Sequence, residues 1–220
     1  MRSRRSCMVL VLGAGLLAGG CSIGEPLDGF APQPYHALRY RGTVRQLLDF
    51  SCGGAALATV VTHYWGTKVS EEYILRILRA RYVDNKAWEA KAKSGFSMDD
   101  LEFVSAALGF NAQGAEVPVD QLQKLNGPVI VHLDKGDFQH FSVLRRIDND
   151  TAYLADPIFG QLGLDMEVFK RQYTGKALAI WAEGKPLPKE SILMMVRDGI
   201  TVRSTVAQVR VPANSRTPGF

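Results

Sequence analysis

Cys52, His140 and Asp156 are side chains whose types could together carry out acyl transfer. A thiolate attacks a carbonyl, a histidine moves the proton, and a carboxylate holds the histidine in one tautomer. Cys52 sits where a polar loop becomes an apolar helix, in Gln46-Leu47-Leu48-Asp49-Phe50-Ser51-Cys52-Gly53. At a helix start the unsatisfied N–H groups and the positive dipole end favour a thiolate. The competing reading is a buried free cysteine acting as a small hydrophobe.

The chain has 4 histidines. His36 lies in a proline-containing stretch near the N-terminus and His63 lies deep in the first long helix, so neither is a strong partner for Cys52. His132 and His140 each belong to an apolar strand. His140 opens its strand directly after the Gly136-to-Gln139 turn, which puts its ring at a sheet end where a cleft can form, and it is preferred on that ground over His132. Asp156 ends the next strand, in Tyr153-Leu154-Ala155-Asp156-Pro157. If those two strands pair through the Asn149-Asp150 turn, His140 and Asp156 fall near the same sheet end. Asp156 also has a plainer reading, as a turn-initiating residue before proline.

The elements that must position these groups change character partway along the chain. Ala55, Ala56, Leu57, Ala58, Val60, Val61 and Tyr64 predict a helix over residues 53–65, closed by Gly66. Ser70 is placed to cap a second helix with Ile74, Leu75, Ile77 and Leu78 facing a core. Ser97-Met98-Asp99-Asp100 resembles a capping box opening a third helix, through Leu101, Val104 and Leu108 to Gly109. After Gly127-Pro128 the pattern predicts strands over residues 129–133, 140–144 and 151–155, then a short helix over 166–173 and a strand over 177–181. Helices first and an antiparallel sheet second predict an α+β fold.

The N-terminus accounts for the other two of the 3 cysteines. Arg2, Arg4 and Arg5 precede an apolar stretch from Met8 to Leu17 and then small residues, the pattern of a secretory signal. That stretch is too short for a comfortable membrane span, which needs about 20 residues. Leu17-Ala18-Gly19-Gly20-Cys21 also resembles a bacterial lipoprotein cleavage box, with Ala18 where a large aliphatic is usual. Lipidation of Cys21 competes with ordinary signal cleavage nearby. Export gives the periplasm as the expected location, and if the cleavage box is real, Ser22 after the cysteine favours a lipid anchor in the outer membrane. Export leaves Cys52 unpaired in a compartment that normally pairs cysteines, and such a thiol calls for an explanation.

Composition excludes more than it assigns. Subtracting Arg2, Arg4 and Arg5 from 26 Lys+Arg leaves 23 against 22 Asp+Glu, so no electrostatic case for nucleic acid remains. No His/Cys/Asp cluster has metal-ligand spacing, and Asp134, Asp137, His132 and His140 read as a polar hairpin. No cofactor is implied. The expected organisation is a signal and lipobox over 1–21, an extended tether over 22–38, a catalytic domain over 39–184 and an accessory tail over 185–220. That tail has a possible hairpin at Asp198-Gly199.

The stretch from Gln46 to Gly66 closely resembles the nucleophile segment of the bacteriocin-leader-processing, or double-glycine, cysteine peptidases, which have a papain-like fold. His140-Phe141-Ser142-Val143-Leu144 and Ala155-Asp156-Pro157-Ile158-Phe159-Gly160 resemble that family's histidine strand and Asp-Pro turn, and Met166 to Ala179 its closing helix and strand. The likeness covers about residues 40 to 182. It implies Cys52 as nucleophile, His140 as general acid/base, Asp156 as its orienting group and Gln46 as an oxyanion-hole donor beside the Cys52 N–H. Ser51 and Ala56 stand where typical members have an acidic residue and a second cysteine. Familiar members are domains of peptide-exporting ATP-driven transporters, and this chain carries neither a transmembrane bundle nor a Walker motif. Stand-alone exported relatives include ones encoded with machineries that secrete functional amyloid fibres, and this chain resembles those.

Two functions of different class follow. One is an exported cysteine endopeptidase cleaving a secreted polypeptide or leader after small residues, in biogenesis of functional amyloid. The other is a catalytically silent papain-like module that holds an exported polypeptide. Filled catalytic positions favour the first. A cell-wall amidase of the broader papain-like group fits less well, because those usually orient the base with a second His or Asn.

Overall fold

The computed structural model describes residues 34–194 and 209–211. The signal, Cys21, most of the tether and the Asp198-Gly199 turn lie outside the described residues. A short helix α1 (Tyr35–Arg39) occupies the end of the stretch expected to be extended. It is followed by α2 (Cys52–His63), α3 (Glu71–Arg81), α4 (Asn85–Ser94) and α5 (Met98–Ala107). The second half contains β1 (Asn111–Glu116), α6 (Val119–Leu122), β2 (Val129–Asp134), β3 (Gln139–Asp148), β4 (Thr151–Asp156), β5 (Gly160–Asp165), α7 (Met166–Gln172), β6 (Tyr173–Trp181) and β7 (Val209–Val211). The α+β order is as expected.

Side-chain caps mark the starts of α3, α4, α5 and α7. The Ser70 hydroxyl accepts the Tyr73 N–H, and Ser97 and Asp100 exchange both bonds of a capping box. Asp84 caps α4, an element the periodicity did not predict because none of its residues is buried. β1 and β5 were also missed. Asn111, Gln113 and Glu116 give β1 a polar surface pattern, and two glycines interrupt β5.

One seven-stranded sheet runs in the order β1-β6-β2-β3-β4-β5-β7, antiparallel except for the β5–β7 pair. Its two faces bury separate cores. On one face Leu57, Val60 and Val61 of α2, with Ile74, Leu78, Leu101 and Val104, meet Ile130, Phe141 and Val143. On the other, Val131, Leu133, Leu144 and Leu154 pack under Met166 and Phe169 of α7. Because side chains alternate along a strand, β3 contributes to both faces.

Cys52 opens α2, which packs chiefly on β3. Gly53 permits that docking: a Cβ there would sit 2.8 Å from Phe96 Cβ and 3.2 Å from Phe141 Cδ2. Residues beyond the expected domain end also join the body. Leu193 is fully buried in the helical core, the Ser191 hydroxyl donates to the His63 carbonyl at 2.6 Å, and Arg145 Nε donates to the Leu193 carbonyl at 3.1 Å.

Candidate active site

Register places the histidine beside the carboxylate. In the β3–β4 ladder Val143 pairs with Ala155, so one further step brings Asp156 opposite Ser142, with His140 two residues along on the same face. His140 Nε2 and Asp156 Oδ2 are 2.9 Å apart, and both side chains are almost completely buried, at 1 and 0 % exposure. The other carboxylate oxygen, Oδ1, accepts the Ile158 and Phe159 N–H groups at 2.8 and 3.0 Å. Asp156 is therefore both a partner for the histidine and the residue that folds the following turn.

That turn is clasped from the N-terminal side. Arg39 Nε donates to the Phe159 carbonyl at 2.6 Å, the Tyr40 hydroxyl donates to the Ile158 carbonyl, and the Gln46 N–H donates to the Pro157 carbonyl at 3.1 Å. Gln46 is thus tied one residue from Asp156. Gly160 closes the turn at φ +72, and a Cβ there would collide with the Arg39 carbonyl. Gly160→Ala is expected to destabilise the protein by about 2 kcal/mol or more, through the left-handed backbone and the backbone collision together. Thermal unfolding should show a Tm lowered by roughly 4–8 °C; an unchanged Tm would contradict the close approach.

Electrostatics bind the pair. Burial alone would drive the His140 proton off, but the Asp156 charge and hydrogen bond, with Cys52 beside the ring, raise its pKa from 6.5 to about 9. Burial likewise opposes ionisation of Asp156, and the charge and hydrogen bond of His140 win, lowering its pKa to about 2. Lys135 adds to this. Burial lowers its pKa, the Asp156 charge opposes that, and its Nζ donates to Gln172 Oε1 at 2.9 Å. The sequence gives no sign that Lys135 turns inward, since it stands in a polar hairpin.

The remaining His140 nitrogen, Nδ1, is buried without a partner in hydrogen-bond geometry. With Nε2 committed to Asp156, a neutral ring keeps its lone pair on Nδ1, and a charged ring can donate from it. Cys52 is 7 % exposed at the first position of α2. The preceding Ser51 makes no side-chain bond into the helix. Its hydroxyl donates to the Leu48 carbonyl at 2.7 Å and accepts the Leu48 N–H at 3.1 Å. The first-turn amides of α2 therefore have no side-chain cap and can receive an anion.

Gln46 is turned differently from the simple expectation. Its Nε2 donates to the Leu48 carbonyl at 3.1 Å, inside the loop that leads to Cys52, and Oε1 is buried without a partner. One of its two amide protons remains uncommitted. His132 stays apart: its Nδ1 lies 3.0 Å from the Thr174 hydroxyl, with the ring against Phe141 on the helical face. The His36 ring lies tilted against Tyr40, and the His63 carbonyl accepts the Ser191 hydroxyl. No group of three or more metal-ligating side chains occurs among the described residues.

The chain matches the Peptidase C39 family over residues 41–185. It is 29 % identical over 188 residues to a probable functional amyloid protease FapD of Pseudomonas fluorescens, covering 84 % of this chain and 81 % of that protein. A second FapD, from Pseudomonas aeruginosa, is 31 % identical over 146 residues, or 66 % of this chain and 63 % of that one. The structure resembles the peptidase domain of Streptococcus ComA, with TM-score 0.55 and 25 % identity over 64 % of this chain and 98 % of that domain. It also resembles a double glycine motif protease from an AMS/PCAT transporter, solved with its leader peptide, with TM-score 0.51 and 27 % identity over 64 % of this chain and 90 % of that one. The helices, the antiparallel sheet and the family match together make this chain a cysteine peptidase of the Peptidase C39 family.

Proposed function

We propose that this peptidase cleaves an exported polypeptide after small residues through Cys52, His140 and Asp156, with Gln46 supporting the oxyanion. The observation that carries the reading is His140, buried between the Asp156 carboxylate and the Cys52 thiol at a helix N-terminus. Cys52 Sγ attacks the scissile carbonyl carbon, and the oxygen gains negative charge beside the Cys52 N–H and the free proton of the Gln46 amide. His140 gives its Nδ1 proton to the leaving nitrogen as the C–N bond breaks, leaving a thioester. His140 then takes a proton from water, which attacks the thioester and releases the new C-terminus and the thiolate.

Small residues before the cut are supported by the likeness to a double glycine motif protease bound to a leader peptide. An amyloid subunit or another component of its secretion system as substrate is supported by the likeness to the FapD proteases. Export to the periplasm and a lipid anchor at Cys21 rest on the N-terminal sequence pattern. Comparing the N-termini of exported proteins between cells carrying the native chain and cells carrying Cys52→Ala tests the whole reading. A new N-terminus after a small-residue pair, present only with the native chain, is expected; identical sets of N-termini would contradict it. Fatty-acid labelling that disappears in Cys21→Ser is the expected result for the anchor, and unlabelled native protein would remove it.

The pH dependence follows from the same pair. His140 has its pKa raised, so the stabilisation it gains is complete below pH 6.5 and is lost as pH rises through about 9. Asp156 has its pKa lowered, so its contribution is present above pH 3.8 and is lost as pH falls through about 2. Proton donation to the leaving nitrogen needs charged His140, so the cleavage rate is expected to fall on the alkaline side around pH 9. A rate profile that falls near pH 6.5 instead would show that Asp156 does not hold the proton on the ring.

A further inference from the structure

Glu71 is the first residue of α3, yet it is only 2 % exposed. Its Oε2 accepts the N–H of Leu47 at 2.9 Å, and the Ser51 hydroxyl lies against the same carboxylate. Leu47 directly follows Gln46, and Ser51 directly precedes Cys52. One carboxylate therefore holds the start of the loop by a hydrogen bond and lies beside Ser51 at its end.

The loop needs that grip because little else packs it. Leu47 and Leu48 are 63 and 44 % exposed, so the intervening residues gain little from burial. The other restraints include the Gln46 N–H on Pro157, the Gln46 amide on the Leu48 carbonyl, the local bonds between Ser51 and Leu48, and the edge contact of Phe50 with Trp88. Keeping Glu71 there is costly. Burial disfavours its charge, the nearby Ser51 hydroxyl and the Leu47 hydrogen bond only partly offset that, and Oε1 is buried without a partner in hydrogen-bond geometry. An apolar residue at this position would avoid that cost but could not hold the Leu47 N–H.

We propose that Glu71 is a positioning residue of the peptidase reaction, fixing the 46–52 loop so that the Gln46 amide and the Cys52 N–H converge on one oxyanion. This rests on the reading of the site given above. Glu71 touches neither substrate nor His140 in this scheme, so it should govern acylation, which develops an oxyanion, and leave alkylation, which does not, unchanged.

The test compares two rates on the full chain. One is acylation of Cys52 by N-acetyl-Gly-Gly p-nitrophenyl ester, followed as the nitrophenolate burst; the other is alkylation by iodoacetamide. Glu71→Asp keeps the charge but is one methylene too short to reach Leu47, and it is expected to slow acylation about tenfold or more, within the range of a lost oxyanion donor. Alkylation should stay within about twofold of the native rate. Glu71→Gln keeps an acceptor for the Leu47 N–H and should restore acylation to within about threefold of native. Both variants retain a polar side chain of similar or smaller size, so the comparison does not depend on an apolar replacement that fails to fold. Glu71→Asp acylating at the native rate, or losing acylation and alkylation in parallel, overturns the proposal. Gln46→Ala and Cys52→Ala serve as controls. If Gln46→Ala acylates normally, or Cys52→Ala still gives the burst, the reading of the site itself has failed, and the role of Glu71 falls with it.

Discussion

Cys52→Ala is expected to abolish cleavage, by on the order of 10⁶-fold in kcat, while the protein stays folded. The loss is that large because the proposed path runs through a thioester, which needs the Cys52 sulfur. The change removes one atom from a site that is already 7 % exposed, so stability should fall by about 1 kcal/mol or less. His140→Ala should cost nearly as much in rate, and the double variant little more than either alone, because nucleophile and proton carrier act as a unit. Rates on a fluorogenic Gly-Gly peptide amide, read beside circular dichroism spectra, check both points. Substantial cleavage by the folded Cys52→Ala protein would contradict the proposed path.

Asp156→Ala has the second-largest expected effect, and it acts on fold and chemistry at once. The substitution leaves His140 Nε2 and the Ile158 and Phe159 N–H groups buried without their acceptor. Breaking a buried charged pair in this way costs about 3–5 kcal/mol, so the Tm should fall by roughly 10 °C or more. Asp156→Asn separates the two roles. Its remaining oxygen can still accept the Ile158 and Phe159 N–H groups, so most of the stability should be kept. Its amide would point a donor at Nε2, placing the neutral ring's proton on Nδ1, the nitrogen that must accept from the thiol. Cleavage by Asp156→Asn is expected to fall about 10²–10⁴-fold. Unfolding curves and kcat measured on the two variants check this; equal loss of stability in both would mean that Oδ1 does not organise the turn.

The parts of the site legible from sequence are those set by local patterns. His140 could be preferred to His132 because it follows a turn closely and so falls near a sheet end, as the second residue of β3. In the structure His140 lies beside Asp156, and His132 contacts Thr174 and Phe141. The caps at Ser70 and Ser97 were legible because their partners lie three residues away. The orientation of the Gln46 amide was not, since it depends on which carbonyl the loop turns inward. Glu71 and Lys135 were invisible for a related reason. Their contacts cross 24 residues to Leu47 and 37 to Gln172, and no periodicity marks a charged residue that is buried through such distant contacts. β1 and β5 escaped because their polar or glycine-containing runs become strands only when β6 and β4 offer an edge.

In the proposed reaction Cys52 and His140 form one reactive unit. A peptide chloromethyl ketone ending in Gly-Gly tests it most directly, since rapid attack requires the thiolate, the imidazolium and a seated peptide together. One adduct is expected by intact-mass spectrometry, mapped to Cys52, forming far faster than with a free thiol and slowing to the free-thiol rate in His140→Ala. An adduct that forms at the same rate in the native protein and in a folded His140→Ala variant would contradict it.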